Sequence, residues 1–176
     1  MTRPETPWLR LAYDSLDAPE PSGAMDEDIR QLSFPFPEPD VIVVLDVARF
    51  QYVSFMSALD LIKPKWIFDI RATPRLDRLV GGRSRALKEF ERIGSRYIDI
   101  FGIIGLTNYK KGLYNPGYWT SVVEDFISTS SEQTGPYLAL LDNNVMINSV
   151  SQHFATSVSH ATGRGVSVSR LEAESL

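Results

Sequence analysis

The chain has 176 residues, of which 43% are hydrophobic and 23% charged, and its formal net charge is −4; this length and composition are typical of one globular domain. It contains no cysteine and only two histidines, which excludes a disulfide framework, a thiolate metal site and a cysteine nucleophile and disfavours a histidine-rich metal centre. No apolar run reaches the roughly 20 residues of a membrane span, and the N-terminus leads into no apolar signal core, so we expect a cytoplasmic protein without a membrane partner.

The first 39 residues are acidic and rich in proline. Residues 1–40 contain nine acidic and three basic residues, and they hold seven of the eleven prolines of the chain. Because proline fixes φ and biases the preceding residue towards extended backbone, residues 1–39 are predicted to form a proline-rich N-terminal arm rather than a domain. Two interpretations of the arm stay open: it packs against its own domain, or it binds a protein partner.

From residue 40 the sequence alternates between apolar runs and segments with helical periodicity. The runs predict strands at residues 41–45, 66–70, 97–101, 137–141 and 166–171. The periodic segments predict helices at residues 50–62 and 84–93, a third helix that opens at residues 115–116, and a fourth at residues 146–161. Ser84 is predicted to cap the second helix and Gly94 to end it in the left-handed conformation, and a loop is predicted from Gly102 to Asn115.

Strands that alternate with helices are typical of a parallel sheet with helices on both faces. Residues 40–171 are therefore predicted to form a single three-layer α/β domain, Rossmann-like, with a five-stranded, mainly parallel sheet. The predicted strand order is 3-2-1-4-5 with right-handed crossovers. Residues 172–176 are predicted to be a frayed tail.

The candidate site residues follow the predicted strands. Open parallel sheets bind ligands beyond the carboxyl ends of their strands, where the strand order reverses. The first strand is followed by Asp46, the second ends at Asp69-Ile70-Arg71, and the fourth is followed by Asp142, Asn143 and Asn144. We expect these polar side chains to share one edge of the sheet.

Asp69 and Arg71 flank one apolar residue and so leave the strand on the same face. Arg71 is either an anion clamp oriented by Asp69, since a guanidinium matches phosphate or carboxylate bidentately, or one half of a structural ion pair. Residues 71–96 contain eight basic and three acidic residues. The arginines around Gly81-Gly82 either close over a phosphate or contact only water; they are Arg75, Arg78, Arg83 and Arg85.

Three further groups keep alternative interpretations. Asp142 is predicted to be a general base with His153 as an acid or orienting group, although a lone helical histidine is more often packed or exposed than catalytic. Asn143 either contacts a ligand or supplies turn chemistry. An aromatic and basic cluster either stacks nucleic-acid bases or fills space over the sheet edge; its members are Tyr109, Lys110, Lys111, Tyr114, Tyr118 and Trp119.

Residues 65–74, Lys-Trp-Ile-Phe-Asp-Ile-Arg-Ala-Thr-Pro, resemble the hallmark of the domain of unknown function 488 family, an apolar strand that ends in Asp-Val-Arg and is followed shortly by proline. Tyr97 matches the family's tyrosine, and His153 matches the histidine of its Cys-His-Arg sequence. Asp142 stands where the family has a cysteine. The resemblance covers residues 40–171, and because both thiols are absent, it implies no thiol-dependent or metal-dependent activity.

The favoured hypothesis is a domain that binds a small anionic ligand, nucleotide-like or phosphorylated, at the carboxyl edge of the strands, with catalysis left open and no cofactor or metal assigned. The predicted catalytic residues are Asp69, Asp142 and His153, and the predicted ligand-binding residues are Asp46, Arg71, Arg75, Tyr97 and Asn143. The alternative is a catalytically degenerate interaction or regulatory subunit. Nucleic-acid binding is less favoured, because the domain as a whole is acidic.

Overall fold

A computed structural model of the chain describes residues 38–105, 115–131, 134–142 and 147–173. All of them lie in the second of the two units into which the chain divides, Phe36–Leu176; the first unit is Met1–Pro35. The predicted arm, apart from residues 38 and 39, and residues 174–176 of the predicted tail lie outside the described residues. Within the described residues, no helix combines the length and the apolar composition that crossing a membrane requires.

Strands and helices alternate along the domain. The strands are β1 (Asp40–Asp46), β2 (Trp66–Asp69), β3 (Arg96–Asp99), β4 (Tyr137–Leu141) and β5 (Val166–Leu171). The helices are α1 (Tyr52–Ile62), α2 (Leu76–Val80), α3 (Arg83–Arg92), α4 (Ile100–Ile104), α5 (Gly117–Thr129) and α6 (Ile147–Thr162), and a 3₁₀ turn, Val47–Arg49, follows β1. All five strands pair in parallel, so the prediction of a single α/β domain with a parallel sheet is confirmed.

The strand order of the sheet is β3-β2-β4-β1-β5, so the predicted order 3-2-1-4-5 is wrong in the positions of β1 and β4. That prediction placed consecutive strands side by side, but the connection from β1 to β2 skips one strand. β4 occupies the gap, where Leu138 pairs with Val43 of β1 on one side and with Ile67 of β2 on the other. The centre suits β4 because all five of its residues are buried, whereas β1 exposes Val41.

Two hydrophobic cores cover the two faces of the sheet. Successive strand residues point to opposite faces, so Ile42 and Ala139 belong to one core and Val43 and Leu138 to the other. Helices α4, α5 and α6 cover the first face, and α1, α2 and α3 cover the second. The chain runs from β1 to β3 in one direction across the sheet and returns through β4 and β5. Because parallel crossovers are right-handed, this reversal moves the helices to the opposite face.

Several predicted element boundaries differ from the structure by one or two residues, and the start of α3 and the end of β3 are the two that change a predicted role. α3 begins at Arg83 after Gly82, so the prediction that Ser84 caps it is wrong, whereas Gly94 has the predicted left-handed conformation, with φ of 74°. The third strand ends at Asp99 instead of residue 101, because the Asp99 carboxylate accepts a hydrogen bond from the backbone N–H of Gly102 at 2.8 Å and caps α4. A Cβ atom at Gly102 would lie 2.7 Å from that carboxylate, so the first residues of the predicted loop are helical and the cap requires glycine.

A buried carboxylate joins three strands at the amino-terminal edge of the sheet. Asp40, the first residue of β1, is 4% exposed. Its Oδ1 atom accepts a hydrogen bond from the backbone N–H of Gly135, before β4, at 3.1 Å. Its Oδ2 atom forms an ion pair with Nε of Arg164, before β5, at 3.8 Å. The side chain of Asp40 therefore fixes the relative positions of the segments that enter β1, β4 and β5.

We expect Asp40→Ala to lower the free energy of unfolding by about 3 kcal/mol, because the Gly135 donor and the Arg164 charge lose a buried partner. Urea denaturation followed by circular dichroism measures the change. The matched control is Asp60→Ala, since Asp60 pairs with Arg92 on the surface, where the loss of an ion pair costs less than about 1 kcal/mol. Equal losses in the two variants would contradict the role assigned to Asp40.

Candidate functional site

The strand order places the carboxyl end of β4 where the connections diverge. β1 and β2 flank β4 and lead to α1 and α2 on one face of the sheet, whereas β4 leads to α6 on the other face. Connections that leave towards opposite faces open a crevice between the strand ends, and ligands of parallel sheets bind in such crevices. The residues that follow β1, β2 and β4 therefore surround the expected binding position.

Asp69, at the end of β2, forms a bidentate ion pair with Arg71. The Oδ1 atom of Asp69 accepts a hydrogen bond from Nε of Arg71 at 2.7 Å, and Oδ2 accepts one from Nη2 at 2.5 Å. The backbone N–H of Arg71 also donates to Oδ1, at 3.2 Å. The hydroxyl group of Tyr97, on β3, donates to Oδ2 at 2.8 Å. Both oxygens of Asp69 are thus engaged, and the carboxylate orients Arg71.

The interior position of this pair makes each charge dependent on the other. Asp69 is 0% exposed and Arg71 is 2% exposed. Burial alone lowers the pKa of Arg71, but the hydrogen bond and charge of Asp69 outweigh that effect, and the pKa is raised. Burial, followed by the charge of Asp69, also raises the pKa of Tyr97, so Tyr97 remains a protonated donor at neutral pH. The sequence assigned a catalytic role to Asp69 and ligand binding to Tyr97. In the structure, Asp69 contacts and positions Arg71, and Tyr97 in turn contacts Asp69.

Arg71 also lines an open cleft of about 500 Å³ at this edge of the sheet. Its Nη1 atom lies 3.9 Å from the Oδ1 atom of Asp142, a distance too long for a hydrogen bond. Asp69 uses Nε and one N–H of Nη2, whereas Nη1 forms no hydrogen bond with the described residues and is available to a ligand. The described residues that line the cleft are Ala48, Arg71, Ala72, Thr73, Arg75, Arg78 and Asp142.

Two exposed arginines line the cleft beside the buried one. Arg75 immediately precedes α2, and Arg78 lies in the helix. Both side chains are exposed, and neither forms an ion pair with a carboxylate among the residues that the structure describes. The sequence analysis named both Arg75 and Arg78 among the arginines that could close over a phosphate, and it included Arg75 in the predicted ligand-binding set.

Asp142 is the acidic residue of the described cleft lining, and its side chain is 50% exposed. Burial raises the pKa of Asp142; Arg71 opposes this shift, and Asp69 and Asp46 reinforce it. Asp46 itself does not line the cleft. Its carboxylate accepts a hydrogen bond from the backbone N–H of Ala48 at 3.2 Å and pairs with Arg49 at 3.5 Å, so it fixes the turn after β1. Within the described residues, no group of three or more carboxylate and histidine side chains is arranged to hold a metal ion.

The structure does not bring His153 to the cleft. His153 is exposed on α6 and lines a separate groove of about 800 Å³ beside β5. The predicted acid–base pair of Asp142 and His153 is therefore not assembled in this geometry, and the more general expectation of an exposed helical histidine holds. Asn143 lies outside the described residues, so its predicted contact with a ligand stays a prediction.

The two remaining predicted clusters have mixed outcomes. Next to Gly81-Gly82, Arg83 pairs with Asp99 at 3.9 Å and Arg85 donates a hydrogen bond to Tyr52 at 3.0 Å, so neither lines the cleft. In the aromatic and basic cluster, Trp119 is buried in the core and its ring stacks on Phe154, 6.4 Å between centroids, which supports the space-filling interpretation for this residue. Tyr118 is exposed, and Tyr109, Lys110, Lys111 and Tyr114 lie outside the described residues.

The chain matches no family model, no curated protein and no solved structure. Membership of the domain of unknown function 488 family therefore stays a prediction, based on the sequence around Asp69 and Arg71.

We expect Asp69→Ala to lower the free energy of unfolding by about 3 to 5 kcal/mol, because the Arg71 charge stays buried without its partner. Tyr97→Phe removes one hydrogen bond to a carboxylate and should cost about 1.5 to 3 kcal/mol. Glu91→Ala is the control, because it removes an acidic residue from an exposed position of α3 and should change stability by less than about 0.5 kcal/mol. Urea unfolding measures all three, and an Asp69→Ala loss no larger than the control would refute the buried-pair assignment.

The raised pKa of Asp142 predicts a pH-dependent stability. A carboxyl group whose pKa is higher in the folded than in the unfolded state stabilises the fold below its unfolded pKa, and this contribution is lost as the pH rises through the folded pKa. Asp142→Asn has no titrating group at this position. Its free energy of unfolding, relative to that of the parent chain, should therefore increase between about pH 4 and about pH 7, as measured by urea unfolding at both pH values. A decrease in this difference in the free energy of unfolding would mean that the attraction to Arg71, which lowers the pKa of Asp142, outweighs burial, which raises it.

Proposed function

We propose that the chain binds a small anionic ligand, nucleotide-like or phosphorylated, in the cleft at the carboxyl ends of β2 and β4. The observation that carries the proposal is the orientation of Arg71: Asp69 accepts hydrogen bonds from its Nε and Nη2 atoms, and Nη1 forms no hydrogen bond with the described residues. A guanidinium that is already fixed loses little side-chain freedom when it binds, and its geometry matches phosphate and carboxylate oxygens.

The charges of the cleft favour an anion over a neutral ligand. Asp69 balances the charge of Arg71, which leaves the exposed Arg75 and Arg78 against the single carboxylate of Asp142 among the described lining residues. A phosphate group carries about −1.5 to −2 charges at neutral pH and three acceptor oxygens, which complements several arginines at once. The volume of about 500 Å³ lies within the range of roughly 300 to 1,000 Å³ that small-molecule sites occupy.

The proposal is limited to binding. General acid–base catalysis needs a proton donor or acceptor within reach of the reacting atom, and of the predicted catalytic residues Asp142 alone lines the cleft. We propose the cytoplasm as the compartment, because a chain without cysteine suits a reducing environment. The interaction-subunit alternative becomes the better explanation if the cleft binds no anion.

Ligand binding can be tested by thermal shift with inorganic phosphate, pyrophosphate, adenosine monophosphate and ribose 5-phosphate. A ligand present at about one hundred times its dissociation constant should stabilise the chain by roughly 2.7 kcal/mol. The double variant Arg75→Gln/Arg78→Gln should weaken binding at least about tenfold, because it removes two charge-assisted contacts. Both side chains are exposed, so the variant should fold like the parent chain.

The matched control is Lys88→Gln, which removes a positive charge from the exposed face of α3 and should leave the dissociation constant unchanged. A shift of equal size in the double variant would place the bound anion elsewhere on the surface. No stabilisation by any of the four compounds would refute the proposed function.

A further inference from the structure

The cleft contains a carboxylate at a position that disfavours a simple anion. Asp142 lines the same cleft as Arg71, Arg75 and Arg78, and its Oδ1 atom lies 3.9 Å from Nη1 of Arg71. A negative charge so close to the anion-binding donors repels a phosphate, since like charges a few ångströms apart repel each other even near a protein surface. A site for a bare anion would be stronger without it.

A ligand that donates a hydrogen bond to this carboxylate offsets the repulsion. We propose, on the basis of the anion-binding function above, that the ligand is the phosphate monoester of a sugar or polyol, whose phosphate contacts Arg71, Arg75 and Arg78 and whose hydroxyl group donates a hydrogen bond to Asp142. A hydroxyl group is a donor that an ionised carboxylate accepts strongly, and the bond is charge-assisted.

The geometry restricts how far apart the two ligand groups lie. Hydrogen bonds span about 2.7 to 3.0 Å. A ligand oxygen bound to Nη1 of Arg71 and another bound to Oδ1 of Asp142 are therefore separated by at most about 10 Å, given the 3.9 Å between those two atoms. The hydroxyl-bearing carbon consequently lies close to the phosphate ester, as it does in a phosphorylated polyol of three to six carbons.

The cleft lining favours a sugar or polyol over a nucleotide. Nucleobases are commonly held by stacking on aromatic rings, and the described lining contains no aromatic residue. Its uncharged members are small: Ala48, Ala72 and Thr73. These side chains leave room for a hydroxylated carbon chain and provide no flat surface for a base.

Isothermal titration calorimetry with two matched probes tests the inference. Glycerol 3-phosphate and propyl phosphate share the phosphate and the three-carbon chain, but only the first has hydroxyl groups. The parent chain should bind glycerol 3-phosphate at least about tenfold more tightly, the range expected of a hydrogen bond to a charged acceptor. Asp142→Asn should bind propyl phosphate more tightly than the parent chain does, because repulsion is removed, and the preference for glycerol 3-phosphate should fall to about threefold or less.

Asp142→Ala provides a second variant, in which no acceptor remains and the preference should disappear. If both substitutions strengthen the two probes by the same factor, Asp142 affects only the charge of the cleft and the hydroxyl inference is overturned while anion binding stands. Equal affinity of the parent chain for the two probes has the same meaning. If neither probe binds while one of the four thermal-shift compounds does, the inference fails and anion binding stands; if none of these compounds binds, both fail.

Discussion

The buried ion pair of Asp69 and Arg71 constrains the part of the sheet edge on which the cleft depends, at the carboxyl ends of β2 and β3. Removing two charges from water costs several kcal/mol per ion, and only close, well-oriented contacts recover that energy. Here the contacts come from adjacent elements: Asp69 belongs to β2, whose four residues are all buried, and the Tyr97 donor belongs to β3. Arg71 is consequently held by rigid strands, and its Nη1 atom has a fixed position relative to the cleft.

The central position of β4 decides which charges meet that nitrogen. Neighbouring strands lie about 4.8 Å apart, so in the order 3-2-1-4-5 the end of β1 would have stood between Arg71 and Asp142. In the observed order β4 pairs directly with β2, and the backbone N–H of Ile70 donates to the carbonyl of Leu140 at 3.0 Å. Asp142 follows two residues later in the chain, next to the guanidinium of Arg71.

The cleft thus combines one rigid arginine, two exposed arginines and one half-exposed carboxylate, and in the proposed ligand binding each component has a different physical role. Arg71 orients the bound anion, because Asp69 fixes the rotamer of the arginine side chain. Arg75 and Arg78 attract the anion, and this attraction weakens as the salt concentration rises, since exposed charges are screened. Asp142 gives selectivity, because it penalises ligands that leave its carboxylate without a donor. His153 belongs to a different surface, the groove between α6 and β5.

The sequence by itself determined the existence of the five strands and the four longer helices, because features such as the apolar run of Tyr137–Leu141 and the turn at Gly94 depend only on nearby residues; the short helices α2 and α4 were not predicted. It also predicted that Asp69 and Arg71 leave their strand on one face. The strand order is decided by packing between segments distant in the chain, and no local pattern reports that β4 lies between β1 and β2. For the same reason, only the tertiary structure separated His153 from Asp142 and decided that Arg75 and Arg78, and not Arg83 and Arg85, line the cleft. Which side chains lie close to Arg71 depends on which strands are neighbours. A central strand such as β4 is buried on both faces and paired on both edges, and that is a property of the assembled sheet.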